Sequence, residues 1–181
     1  SLDGMFYNAS AFNQELNFDT SKVTSMNSMF GYAESFNQPL IFDTSNVTSM
    51  KEMFYNARVF NQKLNFITSN VTNMKLMFCN AEKFNQELNF DTSNVTSMIS
   101  MFAYARSFNQ PLNFNISNIR NMEDMFYDAK AFQNKYNSGE TLPDYTEDIK
   151  LWLKKNSDKM KMIDVKDTHG KEIDDFFNNI Y

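Results

Sequence analysis

Residues 45–66 read SNVTSMKEMFYNARVFNQKLNF, and the spacing of their apolar members decides the fold reading. Val47, Met50, Met53, Phe54, Ala57 and Phe60 stand at i, i+3, i+6, i+7, i+10 and i+13, the spacing of one helix face. Thr48 or a neighbouring serine is placed to cap the N-terminus of such a helix, and Ser49 with Glu52 has capping-box spacing. Leu64 and Phe66 then alternate with Lys63 and Asn65, the period-2 pattern of a short strand with one buried face. Before the unit, Asp43-Thr44-Ser45-Asn46 is a polar turn whose side chains can bond to nearby backbone. The predicted unit is helix, bend, strand, turn.

The unit recurs every 24 residues. Met-Phe returns at Met5-Phe6, Met29-Phe30, Met53-Phe54, Met77-Phe78, Met101-Phe102 and Met125-Phe126. Alanine follows from Ala9 to Ala129, and phenylalanine from Phe12 to Phe132, in the same register. Asn-Gln, Leu16 to Leu112 and Phe18 to Phe114 each return five times, without insertion or deletion. A single unit of this size cannot bury its own apolar face, so neighbours must stack. The expected fold is an α/β repeat solenoid of leucine-rich-repeat type over residues 1–137, with parallel strands, closed by a small mixed α/β cap over 138–181. Paired strands sit ~4.8 Å apart and packed helices ~8–10 Å, so the strand side is expected to be concave.

Composition narrows the function. The 181 residues carry 17 basic and 22 acidic groups for a net charge of -5. No basic stripe runs along the chain, which argues against nucleic acid and anionic lipid as partners. No stretch approaches the ~18 apolar residues needed to span a bilayer, so direct membrane insertion is not expected. One cysteine, Cys79, and one histidine, His169, exclude an internal disulfide framework and any chemistry that needs two imidazoles. No nucleophile elbow, phosphate loop or dinucleotide fingerprint is present. Neither catalysis nor a cofactor is expected. The bias toward 19 Phe, 13 Met and 25 Asn is what copying one short pattern produces.

The consensus T-S-N-V-T-x-M-x-x-M-F-x-x-A-x-x-F-N-Q-x-L-x-F-D, seen at Thr44-Ser45-Asn46-Val47-Thr48 and Met53-Phe54-Tyr55-Asn56-Ala57, resembles the repeat of BspA-like leucine-rich-repeat surface proteins. Within these it is most similar to the mycoplasma lipoprotein-associated repeat family of unknown function. The resemblance covers residues 2–137, with Phe at positions such as Phe18 and Phe42 where Trp is frequent. It implies a leucine-rich-repeat-type solenoid on a bacterial surface, often lipid-anchored through a segment absent from this sequence. It implies no known activity and no assigned functional residues.

The two ends differ from the repeat. Leu2 holds the place of Met26 and Met50, so the first copy is expected to be truncated, with an apolar, self-associating edge of Leu2, Met5, Phe6 and Phe12. After Asn137 the register stops, and Ser138-Gly139 and Leu142-Pro143 mark a boundary. Thr146 can cap a helix with Ile149, Trp152 and Leu153 on one face. Met160, Met162 and Val165 suggest a strand, and Ile173, Phe176, Phe177 and Ile180 a final amphipathic helix.

Several side chains admit a functional and a structural reading. The repeat methionines sit at core spacing, as gap fillers against Phe. The Asn column of the Asn-Gln pairs reads as a buried amide ladder bonding the backbone of the bend rather than as a binding surface. The glutamines are placed at the bend rather than among apolar contacts. Asp19, Asp43 and Asp91 read as turn caps, since the equivalent Ile67 and Asn115 break any calcium pattern. His169 beside Asp167 reads as a surface turn. Cys79 is a spare small residue, or an exposed thiol able to cross-link two chains.

The expected function is that of a cell-surface binding or adhesion module for a protein or glycan partner. The alternatives are a passive or antigenically variable coat repeat and, third, an enzyme-associated domain. The outward strand positions are Glu15 and Asn17, Pro39 and Ile41, Lys63 and Asn65, Glu87 and Asn89, and Pro111 and Asn113. The column before Leu varies (Glu, Pro, Lys, Glu, Pro) while the inward columns do not. These ten residues are the candidate partner-binding face. The competing surface is the helix side, at Arg58, Lys83, Arg106 and Lys130.

Overall fold

The computed structural model describes residues 1–137 and 147–155. It corrects the expected fold. Among the described residues the α-helices are α1 (Lys130–Asn137) and α2 (Glu147–Lys155). The strand-like pairings are the isolated parallel bridges that link Ser25, Ser49, Asn73, Ser97 and Asn121 in series. The repeats are not helix-and-strand units, and the chain is not an α/β solenoid of leucine-rich-repeat type. Each repeat is instead a layer made of consecutive tight turns.

The turns explain why the segment imitates a helix. The N–H of Val47 donates to the Thr44 carbonyl, Met53 to Met50, Ala57 to Phe54 and Phe60 to Ala57, at 3.0–3.3 Å. Each bond spans three residues and closes a turn. The residue that closes each turn points inward, so burial recurs at nearly helical spacing without a helix. Val47, Met50, Met53, Phe54, Ala57 and Phe60 are all fully buried, so the inward face is the expected one although its backbone is not.

Two backbone positions per layer prevent the helix. Glu52 and Asn56 have φ of 59° and 56°, and the same two columns have positive φ in the other layers. One is Gly4, Ser28, Glu52, Leu76, Ser100 and Asp124, and the other Asn8, Tyr32, Asn56, Asn80, Tyr104 and Asp128. A positive φ at the third residue of a turn is the type II geometry and cannot continue a right-handed helix. The freed N–H groups bond to the next layer. Met50 donates to Asn73, Glu52 to Lys75, Phe54 to Met77 and Asn56 to Cys79, at 2.9–3.0 Å. The predicted capping box is likewise absent: the Ser49 hydroxyl bonds Asn27 Oδ1, and Glu52 accepts from the Ser28 hydroxyl of the preceding layer.

This backbone supplies a test by sign. Ser100 is fully buried with φ of 50°, and its Oγ has no hydrogen-bond partner. Ser100→Gly relieves the left-handed strain and removes an unpartnered hydroxyl, so we expect a gain of about 1 kcal/mol. In a helix the same change would cost about 0.5–1 kcal/mol. The direction in which the urea midpoint moves decides between the two.

The predicted strand is also unpaired. Residues 38–43, 62–67 and 86–91 make no backbone–backbone hydrogen bonds. Side chains are interposed there: the Asn37 N–H donates to Asn13 Oδ1, Asn61 to Asn37, Asn85 to Asn61 and Asn109 to Asn85. Pro39 and Pro111 have no N–H to offer. The bonded, closely held side of the stack is therefore the turn side. Rings of the Phe6 to Phe126 column lie 5.5–5.7 Å apart, and those of the Phe12 to Phe108 column 5.8–6.1 Å. The expected paired sheet is replaced by extended segments without backbone pairing, and Phe18 and Phe42 within them still lie 5.6 Å apart.

The main core is a continuous cluster to which the layers from Val23 to Phe114 each add Val, Met, Met, Phe, Ala, Phe, Leu and Phe. Phe54 and Phe60 stack within a layer at 4.1 Å, and Phe54 sits between Phe30 and Phe78. At the C-terminal side Phe132 stacks on Phe126 at 3.9 Å although it belongs to α1. Ile149 and Leu153 of α2 are buried in the same cluster, and Trp152 packs against it. Thr146, Met160, Met162, Val165, Asp167, His169, Ile173, Phe176, Phe177 and Ile180 lie outside the described residues.

Candidate binding face

The extended segments carry the candidate face. Leu40, Phe42, Leu64, Phe66, Leu88 and Phe90 are buried. Glu15, Asn17, Pro39, Ile41, Lys63, Asn65, Glu87, Asn89 and Asn113 are exposed, and Pro111 is half-buried. Ile41 is 92% exposed, so it contributes nothing to the core. The alternation continues one step further, which the sequence reading did not include. Asp19, Asp43, Ile67, Asp91 and Asn115 are exposed as well, giving a face three columns wide. Continuing the period-2 pattern past Phe42 to Asp43 would have found this column.

Its edge is fixed by the turn the sequence predicts. Asp19 Oδ1 accepts the Ser21 N–H, Asp43 the Ser45 N–H and Asp91 the Ser93 N–H, at 2.8–2.9 Å. Asn115 does the same for Ser117 at 3.0 Å. The Thr44 hydroxyl donates to the Ile67 carbonyl ahead, and Asn70 Nδ2 donates back to the Ser45 carbonyl, tying each turn to its neighbours. The backbone N–H of Ser21 and its hydroxyl hold the Asp19 carboxyl below the ordinary aspartate range. For Asp43 and Asp91 the serine hydroxyl acts first and its N–H second.

A folded pKa below the unfolded one gives stability that is complete above the unfolded value and is lost as pH falls through the folded value. Asn115 makes the same turn with a neutral amide. The triple variant Asp19→Asn, Asp43→Asn, Asp91→Asn is therefore expected to lose less stability than the parent between about pH 6 and about pH 3. Urea midpoints at the two pH values measure it.

The Asn-Gln pairs form the ladder expected of them, but at the rim rather than in the core. Gln38 and Gln62 donate through Nε2 to the Asn13 and Asn37 side chains of the layer before. The ladder ends where α1 begins: Gln133 replaces the next Asn and donates its N–H to Ala129, so Asn109 Oδ1 is left without a partner. The buried amide pair is a different one. Asn80 Nδ2 donates to Asn56 Oδ1, with both residues buried.

Two of the four cations of the competing surface, Arg58 and Arg106, are ion-paired. Arg58 Nε lies 3.9 Å from both Glu34 and Glu82, and Arg106 Nε lies 3.4 Å from Asp128. Beside the turn ladder, Tyr55, Leu76, Cys79 and Ala103 form a second small core with Tyr32, Tyr104 and Tyr127 against it. Cys79 is fully buried there and burial pushes its thiol well up, which corrects the reading of an exposed cross-linking thiol. Among the described residues no three His, Cys, Asp or Glu side chains are grouped as metal ligands, and no helix is long and apolar enough to cross a membrane. An open cleft lined by Ile116, Ile119, Arg120, Asn121, Met122, Glu123 and Trp152 lies between the last layer and α2.

No curated protein and no solved structure matches the chain. A family described as "Mycoplasma protein of unknown function, DUF285" matches it twice, over residues 1–66 and 64–165, and together these cover most of its length. The two matches overlap at residues 64–66. The chain belongs to this Mycoplasma family of unknown function.

Proposed function

We propose that the chain is a cell-surface binding module that meets a protein or glycan partner along the extended face. The observation that carries this is the contrast within each extended segment. Leu40, Leu64, Leu88 and Leu112 with Phe42, Phe66, Phe90 and Phe114 are buried and unchanged from layer to layer, while the column just before Leu changes from Glu15 to Pro39, Lys63, Glu87 and Pro111, all exposed but the half-buried Pro111. The invariant positions are accounted for by packing, and the variable ones are free to be set by a partner. Mixed charge and several amides favour a polar contact of modest strength per layer. Repetition in register supplies avidity. The resemblance to BspA-like surface repeats supports a place outside the cell, held through a lipid-anchored segment beyond this sequence. No catalysis and no cofactor are part of this reading.

The test uses purified chain against arrays of extracellular proteins and glycans. One variant carries serine at Glu15, Lys63 and Glu87, and the other at Arg58, Lys83, Arg106 and Lys130. Thermal melts control for stability, because Arg58 and Arg106 are ion-paired. Loss of binding in the first variant alone is the expected result. Loss in the second alone means the partner uses the other surface. A parent chain that binds nothing on either array leaves the passive coat repeat as the reading.

A further inference from the structure

Most asparagine columns of the repeat have a structural task. Asn13, Asn37, Asn61 and Asn85 accept backbone N–H groups at the rim. Asn46, Asn70, Asn94 and Asn118 donate to serine carbonyls of the layer before. Asn56 and Asn80 pair with each other. One column differs. Asn17, Asn65, Asn89 and Asn113 are exposed along the middle of the extended face, and among the described residues their side chains make no hydrogen bond. Asparagine is disfavoured in extended backbone. Neither local preference nor packing therefore accounts for an amide at this position in four layers, three of them successive.

We propose that this column holds the backbone of an extended peptide that runs along the stack and carries lysine or arginine. The proposal rests on the reading of this face as the partner-binding one and names the class of partner. A carboxamide offers both donor and acceptor. In an extended chain the N–H and C=O of one residue point to the same side, and those of every second residue return to it about 6.4–6.8 Å further on. Phe18 and Phe42 lie 5.6 Å apart from one layer to the next, and the rings of the Phe12 column 5.8–6.1 Å. Each amide thus meets one such residue, with a mismatch of about 1 Å per layer that confines the match to a few layers. Side chains of the peptide then point sideways, alternately to the columns on either side of the amides. Those columns hold carboxylates. Asn17 stands between Glu15 and Asp19 and Asn89 between Glu87 and Asp91, all exposed, while Lys63 is the one opposing charge in the three columns. The serine groups bonded to Asp19, Asp43 and Asp91 keep these carboxyls ionised. Cationic side chains complement this arrangement, and an acidic peptide is repelled.

The test uses a fluorescent ten-residue peptide of alternating lysine and threonine. A second peptide has every backbone nitrogen methylated, which keeps the charge and removes the donors. A third has glutamate in place of lysine. Anisotropy titrations should show the first binding more tightly than the second by about tenfold or more, as the loss of several hydrogen bonds gives, and the third not binding. Asn65→Ala, Asn89→Ala and Asn113→Ala together should bring the first peptide down to the level of the second and leave Tm unchanged, because these amides hold nothing in the fold. Glu15→Gln with Glu87→Gln should weaken binding and reduce its salt dependence. Equal binding of the first two peptides, or an alanine variant that binds as the parent does, overturns the proposal and shows a contact made by charge alone. A parent chain that ignores all three peptides also overturns it. If that chain still binds an arrayed protein or glycan through Glu15, Lys63 and Glu87, the face remains a binding surface for another class of partner. Silence on both the peptides and the arrays removes both readings.

Discussion

Phe54→Ala is expected to cost about 3–5 kcal/mol. Phe54 is fully buried, stacks on Phe60 at 4.1 Å and lies between Phe30 and Phe78 at 5.6 and 5.5 Å. Removing the ring leaves a void bounded by rings that are themselves held by backbone bonds from layer to layer, so the site can collapse only in part. Lys51→Ala, three positions away and half-buried, should stay within about 0.5 kcal/mol. Urea unfolding of both variants measures the difference. Equal midpoints would mean that the Phe columns do not form the core.

Asn80→Val is expected to be nearly as damaging, at about 2–5 kcal/mol, from two separable causes. Asn80 has φ of 56°, a conformation asparagine tolerates and a β-branched residue resists at about 1–2 kcal/mol. Its amide also donates to the buried Asn56 Oδ1, and an acceptor left unpaired in that position costs about 1–3 kcal/mol. Asn80→Gly keeps the backbone free and loses only the amide, so it should cost less than Asn80→Val. In a helix the order would be reversed, because glycine there is worse than valine. The ranking of the two melting temperatures reports the backbone at this position.

Much of the architecture is legible in the sequence, and the part that is not has a physical cause. The 24-residue register, the inward columns and the Asp-Thr-Ser-Asn turn all appear as read, because each depends on which residues are apolar or can bond locally. The helix does not appear, because Val47, Met50, Met53 and Ala57 have a spacing shared by a helix and by a run of three-residue turns. What separates the two is the left-handed column. Asn8, Asn56, Asn80 and Asp128 occupy one such column and Gly4 heads the other, and these residue types favour positive φ. Leu76, Glu52 and the tyrosines at 32 and 104 hide that signal, since their conformation is imposed by the layers on either side. The strand fails for a related reason. Alternation at Leu64 and Phe66 reports one buried side and says nothing of whether the backbone is paired. The same alternation names the exposed face correctly even though no sheet lies beneath it.

The hydrogen-bond partner of one amide distinguishes stacked turns from helices. A helix would direct the Phe54 N–H to the carbonyl of Met50, four residues behind. In the stacked turns it donates to Met77, 23 residues ahead, at 2.9 Å. Scalar couplings across hydrogen bonds, from amide nitrogen to acceptor carbonyl carbon, identify the partner directly in isotope-labelled protein. Stacked turns give a coupling between Phe54 nitrogen and the Met77 carbonyl, with its counterparts from Phe30 to Met53 and from Phe78 to Met101. A coupling from Phe54 to the Met50 carbonyl would contradict that arrangement.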